Sequence, residues 1–149
     1  MRSVAELEAY MDNAKPDVIP AELASDYLLV GEEMLIHWLV AKDLVPTDKE
    51  KEGFRVLALH RQGCKGDPSF NACRETCREL AYYYNLITME PDSVETGSRL
   101  AMMDMVAKHL VLFIGGKMQE DQVGEFCCSS KVNKLNREEV ETLVGVNNG

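Results

Sequence analysis

Long apolar runs are missing from this 149-residue chain. The longest, Met34 to Ala41, is interrupted by His37, and Leu110 to Ile114 is shorter still. Both fall far below the ~18 residues that suggest a membrane-spanning helix. The opening residues Met1 to Asp12 have neither the basic start nor the apolar core of a secretory leader, so no export and a cytoplasmic location are expected. Runs of alternating apolar and polar residues are absent too, which argues against a sheet. Cysteines are few, five, and odd in number, a pattern that reads as reduced thiols rather than a disulfide framework. There is no internal repeat, low-complexity tract or second-domain linker.

Positive charge is also in short supply: 16 basic residues against 25 acidic ones leave a net charge of −9. Such a surface repels a phosphate backbone, so nucleic acid is not expected as a partner. The deficit is uneven, because residues 49–88 hold seven cations against five anions. What the chain does have is an ordinary globular composition, 46% hydrophobic and 28% charged, which excludes disorder. At this length a single domain, 1–149, buries roughly 70% of the surface its unfolded chain exposes.

Helix punctuation is frequent. Ser3-Val-Ala-Glu6 is a capping box and predicts a first helix to about Asn13, ended by the prolines of Ala14 to Pro20. From Pro20 to about Asp43 apolar residues recur at Leu23, Tyr27, Val30, Met34, Trp38 and Ala41, with a second row at Leu28, Leu35 and Leu39. Two apolar rows mean two buried faces, hence a central helix, which Gly31 weakens by about 1 kcal/mol unless packing compensates. Thr47-Asp-Lys-Glu50 resembles a second capping box and predicts a helix over 48–62. Asp67-Pro68 predicts a start running to about Ile87, and Pro91-Asp92 opens a fifth helix through Ile114, which Gly115-Gly116 would end. Asp104 and Lys108 stand at i, i+4 on that helix. Residues 119–135 read as irregular loop, 137–144 as a short last helix and 145–149 as a frayed terminus. The fold class expected is all-α, a single-domain bundle of five to six helices.

Three of the five cysteines and a histidine fall within eighteen residues: His60, Cys64, Cys73 and Cys77. Each pair is spaced i, i+4 and shares a helix face, and four donors of this kind suit zinc or an iron–sulfur cluster. An antiparallel hairpin, however, puts Cys64 and Cys77 roughly 10 Å apart along the axis, so all four cannot meet at one ion. A subset of three, or a site completed by Cys127 and Cys128, remains open. Cys73 and Cys77 also lie on the apolar seam Phe70, Cys73, Cys77, Leu80, Tyr84, Ile87, where a free cysteine is a small buried hydrophobe. Arg61, Lys65, Arg74 and Arg78 surround the thiols, and cations favour a reactive thiolate.

Other chemistry is thinly represented. His37 follows Glu33 by one turn, a spacing that suits acid–base work but more commonly a hydrogen-bonded core residue. His109 stands beside Lys108 with no partner at a telling spacing. No serine-nucleophile, zinc-protease, dinucleotide or phosphate-loop motif is present. The first expectation is therefore a non-enzymatic accessory or interaction protein without cofactor, self-associating or meeting a protein partner through the 93–114 helix. Its Met102, Met103, Met105, Val106, Leu110, Phe113 and Ile114 exceed one core face. The second expectation is a redox or metal protein using Cys73 and Cys77 with Cys64, His60 or Cys127 and Cys128. The third is a small-ligand or anion binder lined by Trp38, Tyr83 and Tyr84 and gated by Arg74 or Arg78.

Overall fold

A computed structural model describes residues 1–121, and the expectations for 122–149, including Cys127, Cys128 and the short last helix, lie outside it. Five α-helices make up the all-α fold: α1 Val4–Asp12, α2 Pro20–Ala41, α3 Arg55–Gly66, α4 Arg74–Met89 and α5 Thr96–Glu120. A 3₁₀ segment, Pro68–Cys73, links α3 to α4. α2 is central: it packs against α1, α3, α4 and α5. Of its two apolar rows, Leu23, Tyr27, Val30, Met34 and Trp38 are buried on one and Leu35 and Leu39 on the other, while Ala41 and Leu28 are half-buried. Gly31 is explained by crowding. A methyl group there would sit 2.8 Å from Leu80 and 3.2 Å from Leu110, so glycine lets α4 and α5 close on α2.

The helix ends follow local chemistry where the sequence supplied it. The Ser3 hydroxyl accepts from the Glu6 N–H (3.1 Å) and the Glu6 carboxylate accepts from the Ser3 N–H (2.8 Å), completing the predicted box. α2 ends in a left-handed residue, Asp43 (φ 63°). There the Leu44 N–H donates to Leu39 O and the Asp43 N–H to Val40 O, both at 2.9 Å.

Several helix boundaries differ from expectation. The Thr47 box does not open a helix: its hydroxyl accepts from the Lys49 N–H (3.1 Å), and the next helix, α3, begins only at Arg55. Glu52 (φ 56°) and Gly53 (φ 85°) make a tight left-handed turn, closed by paired 3.0 Å hydrogen bonds between Lys51 and Phe54. Gln62 holds this segment on α3 by accepting from the Thr47 N–H (2.9 Å) and donating to Val45 O (2.7 Å). At the other end, α5 passes through Gly115-Gly116 to Glu120, so residues 119 and 120 are helix rather than loop. Tertiary contacts outweigh the glycine cost: Met118 is buried, Lys117 reaches Asp67 (3.2 Å) and Ser69 (2.6 Å), and Lys42 pairs with Asp121 (3.0 Å). α5 also starts late, at Thr96, whose hydroxyl donates to Pro91 O (3.0 Å). Asp104 and Lys108 do not pair with each other: Asp104 accepts from Tyr27 (2.7 Å), and Lys108 meets Asp12 (3.3 Å).

Candidate functional site

The α3–α4 corner gathers the thiols. His60 lies on α3 and Cys77 one turn inside α4, while Cys73 is the residue that ends the 3₁₀ segment and caps α4. One imidazole nitrogen and the two sulfurs lie within 4.8 Å of one another. Both cysteines have no exposed surface and His60 only 6%. Phe70 anchors the corner from beneath. Its ring packs 4.8 Å from Trp38 and 5.9 Å from Phe113. Its carbonyl accepts from the His60 Nε2–H (2.7 Å) and from the Cys73 thiol (3.3 Å).

Cys64 does not join the three. Its sulfur is 3.4 Å from His60 Nε2 and 3.8 Å from Nδ1. Near-equal distances to both nitrogens place it over the ring face, off the lone-pair axis of either. Its thiol faces Asn71 Oδ1 at 3.7 Å. The i, i+4 spacing of His60 and Cys64 thus gives a stacked contact rather than a chelate, and the expectation that at most three of the four donors meet is what the helices allow.

The two buried thiols are electrically unlike. As a thiolate, Cys73 accepts from the Cys77 thiol and from His60, and these bonds pull it down to about 6 although burial opposes the charge. Its place at the start of α4, where backbone N–H groups point outward, favours the same form. Cys77 is pushed far the other way, because it donates that bond and sits, buried, in the field of Cys73. Burial resists charging His60, but its bonds to Cys73 and to the Phe70 carbonyl outweigh burial and hold it above the usual histidine range. Burial, and then the charge of Cys73, raise Cys64. The arrangement is one thiol prepared to ionise, one prepared to keep its proton, and an imidazole beside them.

A hollow of about 160 Å³ opens at this corner, lined by His60 and Cys64 with Lys51, Arg61, Asn71, Arg74 and Arg78. Arg74 and Arg78, predicted as anion contacts, are therefore brought into one wall with His60 and Cys64. Sequence reasoning missed Lys51 and Asn71, since only the turn at Glu52-Gly53 and the 3₁₀ segment carry them here. The charge excess of residues 49–88 was the one signal that pointed to Lys51, and none pointed to Asn71. Trp38 packs in the core on Phe70, Tyr84 sits edge-on to Phe54 (5.8 Å), and Tyr83 meets Tyr82 (5.2 Å). His37 donates from Nε2 to Arg2 O (2.6 Å), while Glu33 accepts from Arg2 Nε (2.9 Å), so this pair fastens the N-terminal arm. On α5, Met103, Val106, Leu110 and Ile114 are buried, and Met102, Met105 and Leu112 remain exposed.

Among the described residues no helix is long and apolar enough to cross a membrane. No protein-family model, curated protein or solved structure matches the chain.

Proposed function

We propose that the protein is a dithiol redox protein in which Cys73 and Cys77 cycle between two thiols and one disulfide. The observation that supports this reading is the meeting of His60, Cys73 and Cys77 within 4.8 Å, with the two thiols shifted in opposite directions. A low thiol at a helix start with a high, buried thiol one turn away divides the labour of disulfide exchange: the first attacks, the second resolves. Residues i and i+4 of a helix stand about 6 Å apart at Cα, inside the range a disulfide spans. Cys73, at the junction with the 3₁₀ segment, has the freedom to close that gap. Both sulfurs are shut from water, so reaction proceeds through local opening of the short 3₁₀ segment, whose hydrogen bonds are weaker than those of the flanking helices.

The direct test is peptide mass analysis after mild oxidation of the reduced protein. A Cys73–Cys77 bond that Cys73→Ser abolishes supports the reading. Oxidation confined to Cys64, with Cys73 and Cys77 still alkylatable after denaturation, sinks it.

The same three donors favour a second reading, a soft-metal site. Tetrahedral zinc with sulfur at about 2.3 Å needs donors about 3.8 Å apart, a contraction of up to ~1 Å from the present spread. The described residues offer three ligands, so a fourth would come from solvent or from outside them. One metal ion per chain in protein purified without an affinity tag moves the assignment to this reading. The exposed Met102, Met105 and Leu112 face of α5 fits self-association or a protein partner and is independent of the thiols. Loss of any dimer in Met105→Glu, measured by sedimentation, tests it.

A further inference from the structure

The cations around the thiols are not arranged as a solvated helix face is. Lys51 comes from the turn before α3, Arg61 from α3, and Arg74 and Arg78 from α4, and all four line one hollow with no carboxylate in its wall. Arg78 is partly engaged by Glu52 (3.2 Å), whereas Lys51, Arg61 and Arg74 make no ion pair among the described residues. A second hollow of about 420 Å³ adjoins the first: it shares Lys51 and Arg61 and adds Lys49 and Lys65 against the single acid Glu50. Convergent like charges repel one another, and in a chain of net charge −9 the acids to neutralise them are plentiful. Leaving three of them without an ion pair, with Glu52 near Lys51 and Arg74 but bonded to Arg78, makes sense as recognition of an anion at a hollow whose wall holds His60 and Cys64 and which the buried Cys73 reaches once the 3₁₀ segment opens. The chain also brings that anion to the right place, because Arg74 directly follows Cys73.

Resting on the dithiol reading, we propose that the basic hollow is the docking site for a small anionic disulfide, with its reacting sulfurs at the inner hollow and its carboxylate or phosphate groups on Lys51, Arg61 and Arg74. The Cys73 thiolate attacks the nearer sulfur of RSSR, the substrate S–S bond breaks, and RS⁻ leaves with the proton that His60 supplies. Cys77 then attacks the Cys73 sulfur, giving its own proton to His60 and onward to the second departing RS⁻. The protein loses two electrons and two protons as Cys73–Cys77 forms, and the disulfide gains both as two RSH.

The experiment follows the rate of Cys73–Cys77 bond formation in reduced, full-length protein at low ionic strength with four probes: glutathione disulfide (carboxylates), coenzyme A disulfide (phosphates), neutral hydroxyethyl disulfide and cationic cystamine. At least one anionic probe should react tenfold or more faster than the neutral one, and cystamine slowest, against the attraction that overall charge −9 exerts on a cation. The preferred anion identifies the group recognised. Arg61→Gln with Arg74→Gln should bring the ratio of anionic to neutral rate down to about one, and 0.5 M salt should compress it. Equal rates for all four, or cystamine fastest, overturn the anion site and leave the dithiol reading standing. No Cys73–Cys77 bond with any probe, even in mild urea that opens the segment, overturns the dithiol reading itself.

Discussion

Two polar regions of this bundle use charge in opposite ways. At the α1 side, Arg2 bridges Asp26 (3.1 Å) and Glu33 (2.9 Å), Tyr27 donates to Asp104, and Lys15 lies over the Tyr10 ring, so its cations have partners. The hollows there are the larger ones, about 560 and 730 Å³, yet they hold no thiol and no histidine. At the α3–α4 corner the hollow is small, and of the cations lining it Arg78 pairs with Glu52 while Lys51, Arg61 and Arg74 make no ion pair among the described residues. Matched charges in the first region fasten an arm to the core. The three unmatched cations in the second are the observation on which the proposed anion site rests.

The contrast can be broken most severely at Phe70, where core and chemistry meet. Phe70→Ala should cost about 3–5 kcal/mol in urea unfolding and accelerate alkylation of Cys73 by loosening the 3₁₀ segment. Leu7→Ala, on the α1 side, should cost about 2–5 kcal/mol without accelerating it. Next in size, Arg2→Ala strands the buried Glu33 carboxylate and should cost about 2–3 kcal/mol, again with thiol reactivity unchanged. The corner responds in reactivity instead. The thiolate is the form that reacts, so Cys73 alkylation should rise as pH climbs through about 6 and level off above it. Cys77→Ala should displace that midpoint upward the furthest, and His60→Asn less, in the order of the bonds each supplies to Cys73. Smallest of all, Arg78→Ala removes a solvent-exposed pair with Glu52 and should leave the urea-unfolding midpoint unchanged.

What the sequence disclosed was whatever depends on neighbours in the chain. The Ser3–Glu6 box and the double row on α2 are local patterns, and both formed. Thr47-Asp-Lys-Glu50 misled because a threonine hydroxyl serves a turn as readily as a helix, and a left-handed Glu52-Gly53 pair carries no helical signature. Gly115-Gly116 misled because Lys117, Met118 and Asp121 are held from other elements. The site was half legible. The seam placed Cys73 and Cys77 together, but their meeting with His60 depends on how the 3₁₀ segment turns the chain. Six residues at about 2.0 Å rise and three per turn aim Cys73 differently from an α-helical turn. Lys51 reaches the hollow only through a turn that pattern reading took for helix.

Phe70 has one further consequence. Trp38 is the only tryptophan in the chain, and its indole lies on the Phe70 ring whose own carbonyl holds Cys73 and His60. Closing the proposed Cys73–Cys77 disulfide would draw the Cys73 sulfur away from that carbonyl, one side chain from the indole. Trp38 is thus the one indole in the chain and stands a single ring from the sulfur pair, so a change in its emission on oxidation is the expected label-free sign of the proposed disulfide.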